Sequence, residues 1–525
     1  MGKLLKEVSL FQLKGWREMV FKIGFDTEKY VEEQTKFILE RSAKFDKKLY
    51  LEFGGKLILD YHAARVLPGY DPNTKIRILQ SLGENVEIVI CVSAQDLQKG
   101  RIVGSLGINY GDFALKMIDT LRNYGLHVST IVINMFSGET AALQLKEFLT
   151  NKGIKVYTTG IIEGYPTNID LISSDKGYGE LPFIETTKPI VIVTGSGPGS
   201  GKMSTCLRMV YQDKQKGIDA GYAKFETFPI WNLPLDHPIN TAYEAATADI
   251  KDFNLIDPHH LKAYDKIAVN YNRDVENFVI IQKMIKAIIS NDNFMTNYHS
   301  PTDMGVNMAK VGITDDAVCQ KAAKEEIIRR FFRYNCEYIL GVEKKDTVEI
   351  TERYLEKVNM KITDRRVVLP ARRAAEDAKN WGKGHKSIFC GAAIELSNGQ
   401  IVTGKNSPLL HAESSALLNA IKVLANIPDE IKLISENIID QIKNLKKIAY
   451  GEEAGSLDLE ETLTALAIST TINPTAKTAI EQLPKLKNTE MHTTHIPKKG
   501  DESPLRKLGV NLTSDGKLSG EKLLN

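Results

Sequence analysis

The sequence predicts an α/β fold built on a doubly wound, mostly parallel sheet. The continuous apolar run Ile88–Val92 and the largely apolar stretch Val128–Met135 have the composition of strands buried in the interior. Each run is followed by apolar residues at helical spacing and then by a glycine, which commonly ends a helix. A glycine-rich loop at 195–201 joins a further apolar strand to another helix. Strands and helices that alternate in this way form parallel sheets, and such sheets bind ligands beyond the carboxyl ends of their strands.

Short local signals predict the remaining elements. Gly54-Gly55 lies between the apolar triplets 49–51 and 57–59 and predicts a β-hairpin, because glycines tolerate the positive φ of tight turns. Asn398-Gly399 predicts a second hairpin in the same way. The other strands and helices are predicted at 154–157, 189–193, 202–212, 278–289, 315–338, 349–358, 413–424, 457–486, 491–496 and 508–511.

Composition excludes several classes of protein. The 525 residues are enough for two to four domains. The chain has 68 Lys and Arg residues and 66 Asp and Glu residues. This balance lacks the excess of positive charge that is typical of a nucleic-acid-binding protein. We find no apolar run of the roughly 18 residues that a membrane span requires, and we expect no membrane partner. The five cysteines include no C-x-x-C pair and no signal peptide is recognisable, so we predict a cytoplasmic protein.

Changes in periodicity along the chain predict four segments. Residues 1–19 are a leader before a natural start near Met19, and 20–275 form an α/β domain with a phosphate-loop-like turn. Residues 276–384 form a helical subdomain with few strand signals, and 385–525 form a second α/β subdomain. A helical middle region is a natural assembly surface, and we expect a homo-oligomer.

The segment Val193–Thr205 carries the strongest chemical signal. Its glycines let backbone N–H groups converge on an anion, while the following helix N-terminus and Lys202 add positive charge. Met203, however, occupies the position of the Mg²⁺-binding hydroxyl of a phosphate loop, and a ligand-free tight turn is the alternative. The predicted anion-binding residues are Gly195, Ser196, Gly197, Gly199, Ser200, Gly201, Lys202, Ser204 and Thr205.

A second stretch, 231–274, is dense in groups that can move protons. Asp236 and His237 can act as a base or orient a hydroxyl, and Arg273 can neutralise developing negative charge, so these three are the candidate catalytic residues. The Asp-His-Pro triplet resembles the one that follows the phosphate loop in uridine-kinase-like enzymes. The alternative is a capped turn, which Pro238 favours. We expect the stretch to face the 195–202 loop across one cleft.

The C-terminal region carries the first half of a cytidine-deaminase pattern. A predicted hairpin is followed by His411-Ala412-Glu413 at a helix start. In deaminases this His binds zinc and this Glu transfers protons, but two cysteines complete the site. Here the last cysteine is Cys390, so we predict a deaminase-like fold that lacks the zinc cysteines and holds no metal. A zinc enzyme in which His492 and His495 replace the two missing cysteines is the alternative, and His411 can instead cap its helix or contact a ligand.

In combination these motifs resemble one bacterial family, the group named for the domain of unknown function eighteen-forty-six, or uncharacterised protein family zero-three-seven-one. The resemblance covers the chain from about Val20 onward. It implies a multidomain α/β protein with a deaminase-like C-terminal subdomain, and it implies no particular activity. The motifs that carry it are Ile23-Gly24-Phe25-Asp26, Gly54-Gly55-Lys56, Gly195–Lys202, Asp236-His237-Pro238 and His411-Ala412-Glu413.

Two functional hypotheses follow from these residues. The first is an enzyme acting on a nucleotide or other small phosphorylated metabolite, with a nucleotide and Mg²⁺ as the cofactor to be expected. The second is a protein that senses a nucleotide without transforming it. Met203 favours the sensor, because loss of the Mg²⁺ hydroxyl weakens phosphoryl transfer. The titratable groups between Asp236 and Asp274 favour the enzyme.

Overall fold

A six-stranded parallel sheet organises the unit Lys22–Glu326. The computed structural model describes residues 22–103, 106–289, 292–385, 387–451 and 455–520, and it divides into two compact units, Lys22–Glu326 and the described residues from Ile327 onward. The predicted leader, 1–19, lies outside the described residues. The helices of the first unit are α1 Thr27–Ser42, α2 Tyr61–Val66, α3 Thr74–Ser81, α4 Ala94–Gln98, α5 Tyr110–Asn123, α6 Thr140–Asn151, α7 Ile169–Ile172, α8 Lys202–Gln215, α9 Pro238–Ala246, α10 Pro258–Tyr264, α11 Asn272–Ile288 and α12 Pro301–Met304. Its strands are β1 Lys48–Phe53, β2 Val86–Ser93, β3 Ile102–Val103, β4 Ile108–Asn109, β5 Val128–Asn134, β6 Lys155–Thr158, β7 Ile190–Gly195, β8 Ala220–Phe225, β9 Asn254–Ile256 and β10 Val269–Tyr271.

The sheet has the order β6-β5-β2-β7-β1-β8, and all its pairings are parallel. This confirms the predicted parallel α/β architecture. Every residue of β2 is buried, as its continuous apolar sequence predicts. The connection after β1 leads toward the β6 edge, whereas the connection after β7 leads toward β8. Connections that leave neighbouring strands in opposite directions open a crevice at the carboxyl ends of those strands, here next to β7.

The hairpin predicted at Gly54-Gly55 is wrong. Residues 48–53 pair in parallel with β7 and β8, and the triplet 57–59 forms no strand. Gly55 does adopt a positive φ, but the turn leads into α2 through the N-cap Asp60. Leu57 and Ile58 are apolar because they are buried in the core, although they do not belong to a strand.

The second unit contains a four-stranded mixed sheet whose strands lie in the order Ile401–Lys405 (β12), Gly391–Glu395 (β11), Glu490–Thr493 (β13) and Asn511–Ser514 (β14). The hairpin predicted at Asn398-Gly399 is confirmed, because β11 and β12 are antiparallel and Gly399 has a φ of +79°. Strands β11 and β13 are antiparallel, and β13 and β14 are parallel. Helix α13, Asp316–Ile339, contains the boundary between the units, and the later elements are α14 Lys345–Lys357, α15 Val368–Asn380, β11 Gly391–Glu395, β12 Ile401–Lys405, α16 Ala412–Leu424, α17 Glu436–Tyr450, α18 Leu459–Ser469, α19 Pro474–Ile480, β13 Glu490–Thr493, α20 Lys499–Lys507 and β14 Asn511–Ser514.

The middle of the chain is helical, as its periodicity predicts. Between 276 and 384 the described chain forms the rest of α11 and the helices α12 to α15. The domain limits at 275 and 384 stay predictions. Across the described ranges, no helix combines the length and the apolar character needed to cross a bilayer.

Candidate functional site

The loop after β7 is fixed in place by Asn134 at the end of β5. Gly201 is the N-cap of α8 with a φ of +83°, a conformation that favours glycine, and Lys202 is the first helical residue. Asn134 Nδ2 donates a hydrogen bond to the carbonyl of Ser200 at 2.7 Å and to Thr205 Oγ1 at 3.2 Å. A Cβ atom at position 201 would lie only 2.7 Å from Asn134 Nδ2, so only glycine fits there.

Two hydroxyls of this loop are buried and have no hydrogen-bond partner within the described chain. Ser196 is 4% and Ser200 1% exposed, and each Oγ is unpartnered, as is Oγ1 of Thr194 at the end of β7. A buried polar group without a partner costs about 1–3 kcal/mol, so such groups call for an explanation. They belong to the end of β7 and to the loop that leads into α8, a 14-residue helix whose first residue is Lys202. This combination of donors and positive charge suits an anion.

A buried arginine lies one turn further along α8. Arg208 is three residues after Thr205, so both project from the same side of the helix. Arg208 is 1% exposed, and neither its Nε nor its Nη2 has a hydrogen-bond partner among the described residues. Burial lowers the pKa of Arg208 to about 10, against the opposing influence of Cys91 and Tyr178. The guanidinium therefore stays charged near neutral pH, and it adds positive charge behind the loop.

A buried lysine is surrounded by acids at the carboxyl end of β8. Lys224 Nζ lies 2.5 Å from Asp274 Oδ2 and 3.3 Å from Glu226 Oε1, and it also contacts the Tyr271 hydroxyl. The Tyr271 hydroxyl donates a hydrogen bond to Glu226 Oε1 at 3.0 Å. Lys224 and Glu226 are two residues apart and share one face, while Asp274 belongs to the first turn of α11. We call Lys224, Glu226, Tyr271 and Asp274 the lysine–acid cluster.

Within the lysine–acid cluster, the carboxyl group of Glu226 has a pKa near neutral pH. Burial raises the pKa of Glu226, Lys224 lowers it, and Asp274 and Glu52 raise it again, with a resulting pKa of about 7. Burial lowers the pKa of Lys224, but the carboxylates of Asp274 and Glu226 outweigh burial, so its pKa is raised. Lys224 therefore keeps its charge while Glu226 can gain or lose a proton, as a general acid or base must.

Glu52 lies between the loop and the lysine–acid cluster. In the sheet register it stands beside Val193 of β7 on one side and Lys224 of β8 on the other. The Tyr222 hydroxyl donates a hydrogen bond to Glu52 Oε2 at 2.8 Å. The charge of Glu52 affects groups on both sides. Burial is the main cause of the raised pKa of Cys206 on α8, and Glu52 is the next largest cause. Glu52 also contributes to the raised pKa of Lys224. The loop and the lysine–acid cluster thus both lie at the carboxyl ends of neighbouring parallel strands.

Of the three predicted catalytic residues, Arg273 lies beside the lysine–acid cluster. It precedes Asp274 at the start of α11, and its guanidinium lies 5.9 Å from the centre of the Tyr271 ring. Its Nη2 donates a hydrogen bond to the buried Asp252 at 2.6 Å. Arg273 is therefore held in place at the rim of the cluster, and its predicted role in neutralising negative charge stays a prediction.

Asp236 and His237 have a different environment. His237 is the N-cap of α9, and its Nε2 lies 3.1 Å from Asp316 Oδ1, whereas Asp236 is exposed. Within the described residues neither makes a hydrogen bond or ion pair with the 195–202 loop. Their catalytic role and the cleft that they would share with Lys202 stay predictions.

Sequence reasoning assigned no role to Arg208, Lys224 or Glu226. A signal for Lys224 is present, because it is a charged residue inside an otherwise uncharged strand, Ala220–Phe225, that is buried throughout. Lysines are almost never buried in this way without a charged partner. The identity of that partner is not local information, since Asp274 lies 50 residues further along the chain.

A cavity of about 350 Å³, a size that suits a small organic ligand, is linked to the lysine–acid cluster through Asn307. Asn307 lines this cavity, and its Oδ1 accepts a hydrogen bond from the backbone N–H of Glu226 at 2.8 Å. Trp231 Nε1 donates to the carbonyl of the same Asn307 at 3.1 Å. The other side chains that line the cavity are mostly aromatic or polar and include Arg41, His260, Tyr264, Tyr298 and Asp303.

The second unit contains a separate cluster at the N-terminus of α16. His411 is the N-cap of this helix, and its Nδ1 lies 2.7 Å from Asp501 Oδ2. Burial lowers the pKa of His411, but Asp501 and Glu413 raise it by more, so the pKa is raised. Ligand atoms of His411, Glu413 and Asp501 all lie within 4.8 Å of one another, close enough to hold one metal ion.

The two histidines that the sequence offers as substitutes for deaminase cysteines lie in different places. His495 Nε2 is 3.4 Å from Glu413 Oε1, so His495 borders the cluster around His411. His492 Nε2 is instead 3.4 Å from Asp515 Oδ1. Only His495 is therefore in contact with the residues of the His-x-Glu motif.

Comparisons with known proteins match nearly the full length of the chain to one family. A model described as "Domain of unknown function DUF1846, N-terminal" matches residues 23–359, and one described as "Domain of unknown function DUF1846, C-terminal" matches residues 363–524. A UPF0371 protein of Clostridium botulinum strain Eklund 17B is 49% identical over 502 residues, which are 96% of this chain and 99% of the relative. A UPF0371 protein of Clostridium tetani strain E88 is 48% identical over 503 residues, with the same coverage. The resemblance inferred from the motifs is confirmed, and the chain belongs to the uncharacterised DUF1846 family, whose curated members are named UPF0371 proteins.

Proposed function

We propose that the N-terminal unit is an enzyme that binds a nucleotide or another phosphorylated metabolite and transforms it by proton transfer. The observation that carries the proposal is the pair of buried, unpartnered hydroxyls of Ser196 and Ser200 at the N-terminus of α8. A phosphate bound there would receive hydrogen bonds from both hydroxyls and from backbone N–H groups of the loop. Lys202 would supply the counter-charge, and Arg208 would add to it from behind.

In this proposal the lysine–acid cluster performs the chemistry. Glu226, with a pKa of about 7, would take a proton from the bound metabolite or return one to it. Lys224 would stabilise negative charge that develops on the metabolite, and Arg273 would add a second positive charge at the rim. The cavity beside Asn307 would hold the part of the metabolite that carries no phosphate.

A sensor that binds a nucleotide without changing it is the second candidate. Met203 favours it, because the hydroxyl that would hold Mg²⁺ beside a nucleoside triphosphate is missing at that position. For the second unit we propose a deaminase-like fold. This is supported by the β11–β12 hairpin followed by α16, with His411 at its N-cap and Glu413 in its first turn.

Two measurements separate the enzyme from the sensor. The full chain is first titrated with inorganic phosphate and with ATP plus Mg²⁺ by calorimetry. It is then incubated with a bacterial extract of small metabolites, and the consumed and formed species are identified by mass spectrometry. An enzyme consumes a phosphorylated species that the Glu226→Gln variant binds but leaves unchanged. A sensor binds but consumes nothing, and the absence of both binding and turnover refutes both candidates.

Lys202→Ala should weaken the binding of phosphate or ATP by about tenfold or more, because a hydrogen bond to a charged group contributes roughly 1.5–3 kcal/mol. Without ligand the variant should melt at the same temperature or slightly higher, since a lysine beside a helix N-terminus is electrostatically unfavourable. Calorimetry and thermal melting give the two readouts. The matched control is Lys214→Ala, an exposed lysine in the last turn of the same helix, which should bind like the parent. If Lys202→Ala binds phosphate and ATP as tightly as the parent does, the loop is a structural turn and not a binding site.

A further inference from the structure

The cluster around His411 unites three potential ligands from two helices that are distant in sequence. His411 and Glu413 belong to the start of α16, while Asp501 belongs to the first turn of α20. Asp501 is 90 residues from His411 along the chain, yet their side chains are 2.7 Å apart. The ligand atoms of all three lie within 4.8 Å of one another. Such a spacing allows one ion to contact all three at ordinary metal–ligand distances of about 2 Å.

Both carboxylates of this cluster are fully buried. Glu413 and Asp501 are each 0% exposed. Glu413 Oε1 accepts a hydrogen bond from Thr493 at 2.7 Å, but Glu413 Oε2 is buried without any partner within the described residues. Two buried carboxylates at close range repel each other, and burial of a charge is costly unless it is paired or binds a metal. An unpartnered carboxylate oxygen inside the cluster therefore points to a missing cation.

The surroundings hold the ligands in position. Asp501 Oδ1 accepts a hydrogen bond from the backbone N–H of Leu459 at 2.9 Å, which leaves Oδ2 for the cluster. His495 Nε2, at 3.4 Å from Glu413 Oε1, is a further imidazole nitrogen at the border of the site. The His411 side chain is 22% exposed, so an ion could enter from solvent. Metal ligands in proteins are commonly oriented by such outer hydrogen bonds.

We propose that His411, Glu413 and Asp501 bind one divalent transition-metal ion, with His495 next to its open position. An imidazole nitrogen together with two carboxylates suits zinc and its first-row neighbours, whereas Mg²⁺ and Ca²⁺ prefer oxygen ligands alone. Glu413 would be a ligand here, in contrast to the free proton-transferring Glu of the deaminase pattern. The site belongs to the second unit and does not depend on the function proposed for the first.

The test measures metal content and thermal stability of the full chain produced without a histidine tag. The protein is stripped with EDTA, reloaded with Zn²⁺, desalted and measured by mass spectrometry of the metal. We expect about one zinc ion per chain and a melting temperature that rises with zinc, because an ion that binds only the folded state stabilises it. Glu413→Gln, which keeps the size of the side chain, should bind zinc at least about tenfold more weakly and lose the zinc-dependent rise.

Two controls make the outcome decisive. His127→Ala, an exposed histidine of the other unit, should retain full zinc binding, which excludes surface imidazoles as the source. In EDTA, Glu413→Gln should melt at the temperature of the parent or above it, because the amide can still accept the hydrogen bond from Thr493 and no longer repels Asp501. Less than about a tenth of a zinc ion per chain in the reloaded parent would overturn the proposal. Equal zinc binding by Glu413→Gln, or a much lower melting temperature of that variant in EDTA, would also overturn it.

Discussion

Arg365→Met should destabilise the C-terminal unit by about 3–5 kcal/mol, because breaking a buried ion pair leaves its partners unpaired. Arg365 is 1% exposed and lies 2.5 Å from Glu490 Oε2. Its Nη2 also donates to the carbonyls of Met491 and Asn511, at 3.1 and 2.8 Å, and so links β13 with β14. Urea unfolding followed by circular dichroism at pH 7 gives the difference, with the transition of the C-terminal unit fitted separately.

The neighbouring Arg366 is the matched control for this prediction. Its side chain is 59% exposed and pairs with Glu395 at the surface. Arg366→Met should therefore change stability by at most about 1 kcal/mol, as exposed ion pairs do. A loss of the same size in both variants would mean that burial of Arg365 is unimportant.

The cost of Arg365→Met should also depend on pH. Arg329 and Arg365 outweigh burial and lower the pKa of Glu490 to about 2, from an ordinary value of 4.5. A carboxyl with a lowered pKa contributes stability above its unfolded pKa and loses it as pH falls through its folded pKa. The difference between the parent and Arg365→Met should therefore shrink between pH 4.5 and pH 2.

Glu226→Gln should stabilise the protein at pH 8 by about 3 kcal/mol while it abolishes turnover, because each pKa unit corresponds to about 1.4 kcal/mol. The pKa of Glu226 is raised from 4.5 to about 7, chiefly by burial. A carboxyl with a raised pKa favours folding below its unfolded pKa and loses this contribution as pH rises through its folded pKa. The advantage of the glutamine should thus be absent near pH 4.5 and complete above pH 7, as measured by urea unfolding across this range.

Glu185→Gln provides the comparison for that pH series. Its carboxylate is 65% exposed and forms a surface pair with Lys155 at 2.8 Å. Its replacement should leave the pH dependence of stability close to that of the parent. If Glu226→Gln is instead less stable than the parent at pH 8, Glu226 serves mainly as the ion-pair partner of Lys224, and the proposed proton transfer has no support. A gain in stability with full turnover would remove Glu226 from the chemistry.

Elements with a continuous local pattern could be predicted from the sequence. Helix α13, at 316–339, was expected at 315–338, and strands β2 and β5 coincide with their apolar runs. The Gly54-Gly55 hairpin failed because its turn signal is local whereas the choice of strand partner is not. Leu49 N–H donates to the carbonyl of Pro189, and a single sequence does not reveal pairing over such a separation.

The same distinction applies to the candidate site. The 195–202 loop is contiguous, so its glycines and Lys202 could be recognised together. The lysine–acid cluster joins β8 to the start of α11, and the partner of His411 is contributed by α20. The titratable residues could be seen individually, but which of them meet depends on the packing of distant segments.

The register of β7, β1 and β8 has a consequence for the size of the molecule that the N-terminal unit could accept. Val193, Glu52 and Lys224 stand side by side on three successive strands. Neighbouring strands are about 4.8 Å apart, so the sheet holds Val193, just before the loop, and Lys224 of the lysine–acid cluster roughly 10 Å from each other. The strand spacing thus sets the separation between these two parts of the candidate site. A phosphate bound to the loop would hold the metabolite in place without reacting itself. The bond that changes would lie about one nucleoside length away from that phosphate.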